Sequence, residues 1–207
     1  MSAFLGPIHY WLYHKIQWHE DLLEDIYTLM TEKGEDTALI KHYTMTQFGA
    51  PERSELSSVI DGGNIHGWLQ SKIQSVEYRM AYAITHAVKH NILSVSDLEH
   101  LYHENGKKAY SSYSGSLSTP QDMFKAIYDY LLDGMPCDRV NQPIASEDDA
   151  MIWMKKMCIH TEFWTAVGGD IEVFNTLRES WLNGFVSTSY DLEIQDGTQY
   201  KLMRRAA

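Results

Sequence analysis

The residues best suited to chemistry are His9, Glu20, His66 and Glu77. They stand at matching places in two similar segments, GPIHYWLYHKIQWHE (residues 6–20) and GNIHGWLQSKIQSVE (residues 63–77), where Gly, Ile, His, Trp, Leu, Lys, Ile, Gln and Glu coincide. Imidazole and carboxylate suit zinc, iron, manganese or nickel, and helical bundles build such sites from facing helices. The same groups can instead satisfy one another in a core, where an unpartnered carboxylate is costly.

On a helical wheel His9, Ile16 and Glu20 share one side, and Trp11 and Lys15 fall on the other; His66, Ile73, Glu77, Trp68 and Lys72 repeat the pattern. Both sides are specified, as expected for helices inside a bundle. Eleven residues separate each His from its Glu, roughly 16 Å along a helix axis, so one helix cannot bring both to one point. Antiparallel helices would join His9 to Glu77 and His66 to Glu20. Parallel ones would join His9 to His66 and Glu20 to Glu77. Either site is short of a closed set of about four ligands. The expected further donor is His160 in AMIWMKKMCIHTEFW, on a stripe with Trp153, Met157 and Trp164. No Glu-x-x-His or His-Glu-x-x-His stands on the two segments.

Other histidines read as structural or solvated. His86 and His90 lie one turn apart near a helix end, where His suits the helix dipole. His100 and His103 sit among acidic residues, His14 has no counterpart in the second segment, and His42 has no evident partner. Cys137, in a Pro-flanked loop, could expose a thiol, but no Cys-x-x-Cys accompanies it. There is no P-loop, no dinucleotide glycine fingerprint and no Gly-x-Ser-x-Gly.

The elements that must position these groups read as helices. His9, Leu12, Ile16, His19, Leu23, Ile26 and Met30 recur at three and four residues between Pro7 and Gly34, which predicts a long helix. A shorter one follows over 34–49, then a connection over 50–63. Asn64 caps a second long helix with the stripe Ile65, Leu69, Ile73, Val76, Met80, Ile84 and Ala87. Another short helix over 94–106 closes at Gly106. This long-then-short order predicts an internal duplication, with one repeat at about 6–62 and another at about 63–117. Three more helices are expected over about 118–186, the middle one running from Ser146 to about Val167. A hairpin around Asp196-Gly197 is expected over about 188–203. The predicted fold is all-α, a single helical domain over 1–207 with that hairpin.

The chain has 207 residues, a formal net charge of −11 and two cysteines. Its acidity opposes non-specific binding to nucleic acid or anionic lipid. No apolar run approaches the roughly 20 residues of a membrane span, and MSAFLG lacks the core of a signal peptide. Few cysteines point to a reducing cytoplasm.

The expectation is a metal-binding helical bundle with His9, Glu20, His66, Glu77 and His160 as ligands or their hydrogen-bond partners. An open position would permit metal-assisted hydrolysis or redox chemistry on a small molecule. One alternative is a non-enzymatic adaptor or maturation chaperone, in which the pairs are structural and a protein partner is bound. Another is a pocket for a small ligand or a flat, haem-like cofactor.

Overall fold

Pro7 has no backbone N–H to lose at a first helical position, and from it α1 runs Pro7–Glu32. The computed structural model describes residues 5–186 and 189–205. The opening residues 1–4 of MSAFLG and Thr188, at the edge of the expected hairpin, lie outside them. After α1 come α2 (Ala38–Phe48), α3 (Leu56–Val59), α4 (Ile65–Lys89), α5 (Val95–Ser112) and α6 (Pro120–Tyr130). A 3-10 turn (Pro136–Asp138) leads to β1 (Asn141–Ser146) and β2 (Ala150–Lys155). Then follow α7 (Thr161–Ala166), α8 (Ile171–Val186), β3 (Tyr190–Gln195) and β4 (Gln199–Arg204). The protein is mostly helical, with a small four-stranded antiparallel sheet. No helix among the described residues is long and apolar enough to cross a membrane.

The described residues gather into two compact units. The first comprises those of 1–94 with His160–Asp170. Here α1 and α4 lie side by side, and α2 and α7 pack on α4. His9 meets His66 and Glu20 meets Arg79, early residue to early and later to later, so α1 and α4 run parallel. The expected stripes form the core: Leu12, Ile16, Leu23, Ile26 and Met30 on α1, and Leu69, Ile73, Val76 and Ile84 on α4, are almost fully buried. Phe163 of α7 sets its edge against Tyr78 with ring centres 4.8 Å apart. The Lys89 ammonium donates to the Gly168 carbonyl at 2.7 Å, tying the 160–170 segment to the end of α4.

The second unit comprises Val95–Ile159 and the described residues from Ile171 onward. Its antiparallel sheet has the order β1-β2-β4-β3. Helix α6 packs on β2 and β4, and α8 lies along α5. Trp153 of β2 stacks on Tyr200 of β4 at 5.2 Å with planes 6° apart. The β3–β4 loop holds Asp196 and Gly197 at φ +50° and +64°, and the Thr198 N–H donates to the Gln195 carbonyl at 3.1 Å, closing a turn whose two central residues are both left-handed.

Three expectations are corrected. The all-α class gives way to helices plus a sheet. The expected helix from Ser146 to Val167 does not form: residues 150–155 are β2, and only Thr161–Ala166 is helical. A short apolar run such as AMIWM fits either period, and pairing with β1 on one side and β4 on the other decides for strand. Trp153 and His160 therefore share no helical stripe; His160 stands immediately before α7 instead. Third, α5 does not stop at Gly106. A Cβ there would collide with the Trp181 backbone of α8, and one at Gly184 with the His103 backbone. Glycine is needed at both positions because two helix backbones approach closely.

Candidate functional site

Several coinciding residues of the two segments have a physical task in the first unit. Leu12 and Leu69, Ile16 and Ile73 fill the core. The Lys15 ammonium lies 4.2 Å from the centre of the Trp11 ring, and Lys72 lies 5.3 Å from Trp68. The Trp-x-x-x-Lys spacing, one helical turn, thus makes a cation–π contact on each helix.

At the start of the parallel pair, His9 and His66 face each other with ring centres 5.7 Å apart and planes tilted by 44°. His9 is the third residue of α1, and its Nδ1 accepts the Gly6 N–H at 3.0 Å. It caps the helix as the Glu of a capping box does. In α4 Asn64 has that task, its Oδ1 accepting the Gly67 N–H at 3.1 Å. His66 is exposed. Since the His9 Nδ1 lone pair is occupied, the neutral ring carries its proton on Nε2.

The two carboxylates lie deeper and have different partners. Glu20 of α1, 4 % exposed, receives both guanidinium arms of Arg79, itself 2 % exposed. Nη1 donates to Oε2 at 2.9 Å, and Nη2 donates to Oε1. The remaining Nε–H of Arg79 donates to Ser75 Oγ at 3.4 Å, and that hydroxyl donates to the Gly49 carbonyl at 2.9 Å. This is a bidentate ion pair whose Nε–H is satisfied as well, an arrangement that tolerates burial.

Glu77 of α4, 5 % exposed, has His160 as its partner, with Nε2 3.4 Å from Oε1. His160 is 3 % exposed and comes from the segment that leads into α7. His19 of α1 joins them. Its Nδ1–H donates to the Lys15 carbonyl at 3.0 Å, which leaves Nε2 as the acceptor. Burial pushes the His19 imidazole below its ordinary pKa, and the nearby Lys15 and His160 push the same way. Glu77 and the Lys15 carbonyl oppose them. A half-buried imidazole of lowered pKa, a buried imidazole–carboxylate pair and a buried ion pair thus lie in one small helical unit.

The structure brings together His9 with His66, and Glu77 with His160. It does not pair Glu20 with Glu77, the parallel alternative. Among the described residues no group of three or more His, Cys, Asp or Glu side chains is arranged to hold a metal ion. Sequence reasoning named His19 only as part of a stripe and missed Arg79. The signal for Arg79 was available: when the segments are extended it stands opposite Leu22, a charge where the first helix has a leucine. Elsewhere in this unit, His86 and His90 stack at 4.1 Å, and the His90 Nδ1–H donates to the His86 carbonyl at 2.9 Å. Cys137, in the second unit, is exposed as expected. No protein family, no curated protein and no solved structure matches the chain.

Proposed function

We propose that the chain is a non-catalytic helical module, an adaptor or maturation chaperone that works through a protein partner in a reducing cytoplasm. In this reading α1 and α4 are two copies of one segment. Their His and Glu residues serve to hold the helices parallel and in register, and to seat the 160–170 segment. One observation carries it: each candidate ligand on the inward face has a protein partner of its own. Glu20 is saturated by Arg79, Glu77 faces His160, and His9 closes its own helix start. A metal would have to compete with each of these bonds.

The test is elemental mass spectrometry with a visible spectrum on untagged protein, beside unfolding curves with and without a chelator. The expected result is a colourless protein with sub-stoichiometric metal and a chelator-insensitive unfolding midpoint. Near-stoichiometric metal, lost together with stability on chelation, overturns this reading.

One observation favours a second reading, a divalent transition metal held by His9 and His66 at the open end of the pair. At a metal–nitrogen distance of about 2.1 Å each ring centre lies roughly 3.2 Å from the metal, so two rings sharing it stand about 5–6 Å apart. The observed 5.7 Å fits. The cap opposes it, because the His9 Nε2 carries the proton while Nδ1 accepts from Gly6. A His9→Ala, His66→Ala double variant that stays folded and loses bound zinc, iron, manganese or nickel would establish this second reading.

A further inference from the structure

Among its described residues the second unit buries two cations and one carboxylate. Asp133, Lys155 and Arg178 are 8 %, 8 % and 6 % exposed. Arg178, on α8, donates Nη1 to Asp133 Oδ1 and Nη2 to Oδ2, both at 2.8 Å. Asn141 Nδ2, on β1, adds a third donor to Oδ2 at 2.6 Å. Both Asp133 oxygens thus accept from Arg178, and Oδ2 from Asn141 as well. Lys155, at the end of β2, stands directly opposite Asn141 in the β1–β2 register and forms no ion pair with a described carboxylate. Two buried cations thus share one buried anion, leaving a net charge of about +1 where desolvation makes charge expensive.

A second observation points at the same gap. Arg79 places its Nε–H on Ser75, but the Nε of Arg178 is buried with no acceptor among the described residues. Close by, burial holds the Tyr128 phenol well above its ordinary pKa, so it remains a neutral O–H donor near Arg178 and Asp133. Lys155 shows the strain electrostatically. Burial, then Arg178, pushes its ammonium toward neutrality, while Cys158, Asp133 and Glu172 pull the other way too weakly to restore it.

We propose that Lys155 and the Nε–H of Arg178 form a binding site for one small, singly charged oxyanion of the carboxylate class. The anion would neutralise Lys155, accept the orphaned Arg178 proton and leave the Asp133 pair untouched. Arg178 is better suited than Lys to this double task because its planar fork can serve Asp133 with two nitrogens and a ligand with the third.

The experiment is thermal unfolding of the full chain in acetate or inorganic phosphate, each against chloride at matched ionic strength. Binding to the folded state alone raises the midpoint with a saturable dependence on concentration, by about 5 °C at a hundredfold excess over Kd. The rise is expected in wild type and absent in Lys155→Met and Lys155→Gln. An acetate response alone identifies a carboxylate site; a response to phosphate as well identifies a general oxyanion site. No response to either anion, or one that survives both substitutions, overturns the proposal. Should neither variant fold, acetylation of Lys155 in wild type is read by peptide mass spectrometry. Saturable protection by the same anion supports the site, and labelling unchanged by the anion refutes it.

Discussion

Glu20 and Glu77 occupy equivalent places in two similar segments, and both are buried to about the same degree. Their partners differ. Glu20 has the guanidinium of Arg79 and two parallel hydrogen bonds. Glu77 has the imidazole of His160 at 3.4 Å, a group that can be neutral or charged. The first carboxylate sits in a permanent salt bridge that joins α1 to α4. The second sits in a titratable pair that joins α4 to a segment 83 residues further along the chain (160 − 77). Equivalent residues thus do unequal work, because burial fixes only the need for a partner and not its kind.

The largest effect follows from breaking the permanent pair. Arg79→Met leaves Glu20 buried without a counter-charge and is expected to cost about 3–5 kcal/mol in urea unfolding. Adding Glu20→Gln should recover part of that loss, because the stranded charge is gone. A double-mutant cycle measures the coupling. A single-variant cost below about 1 kcal/mol would mean that the pair does not hold the helices together.

The titratable pair should yield less. His160→Gln keeps a hydrogen-bonding side chain beside Glu77 and is expected to cost about 1–3 kcal/mol, the range for a buried polar group with an imperfect partner. The ordering matters more than either value. If His160→Gln costs more than Arg79→Met, Glu77 is the more dependent carboxylate and the contrast drawn here reverses.

The third effect is on pH. Burial holds His19 below its ordinary pKa, so the unfolded chain binds a proton more readily than the folded one. Its contribution is complete above the unfolded value of about 6.5 and is lost as pH falls through 6.5 toward the folded pKa. Stability of wild type should decline over that window, and His19→Asn should decline less. An unchanged slope in the variant would place the acid sensitivity elsewhere, with His86, also lowered by burial, the next group to replace.

Much of this was legible in the sequence. The stripes from Leu12 to Met30 and from Ile65 to Ala87 announced α1 and α4, because a 3.6-residue period over six turns has no competing reading. The burial of Glu20 and Glu77 followed from the same wheel, whereas His66, expected on the same side, is exposed. The direction of the helices did not, since parallel and antiparallel packing bury the same faces. Nor did β2, because residues 150–155 are too short for periodicity to decide, and the strand exists through pairing with β4 some fifty residues later. Gly106 looked like a stop signal and is a packing position, a distinction that depends on Trp181 of another helix. Lys155, Asp133 and Arg178 come from three separate places in the chain, and no local spacing links them.

The smallest expected effect separates the two histidines that face each other. His9 caps α1 through Nδ1, whereas His66 is exposed and Asn64 caps its helix. His9→Ala should therefore cost about 0.5–1 kcal/mol, the size of a lost cap, and His66→Ala less than about 0.5. The two costs should stay unequal whether or not zinc is added. Shared ligation would make the opposite pattern. Added zinc would then stabilise wild type, and each single substitution would remove the same increment, because one metal needs both rings. Measuring both variants with and without zinc therefore separates a helix cap that happens to face a surface histidine from a two-histidine ligand pair.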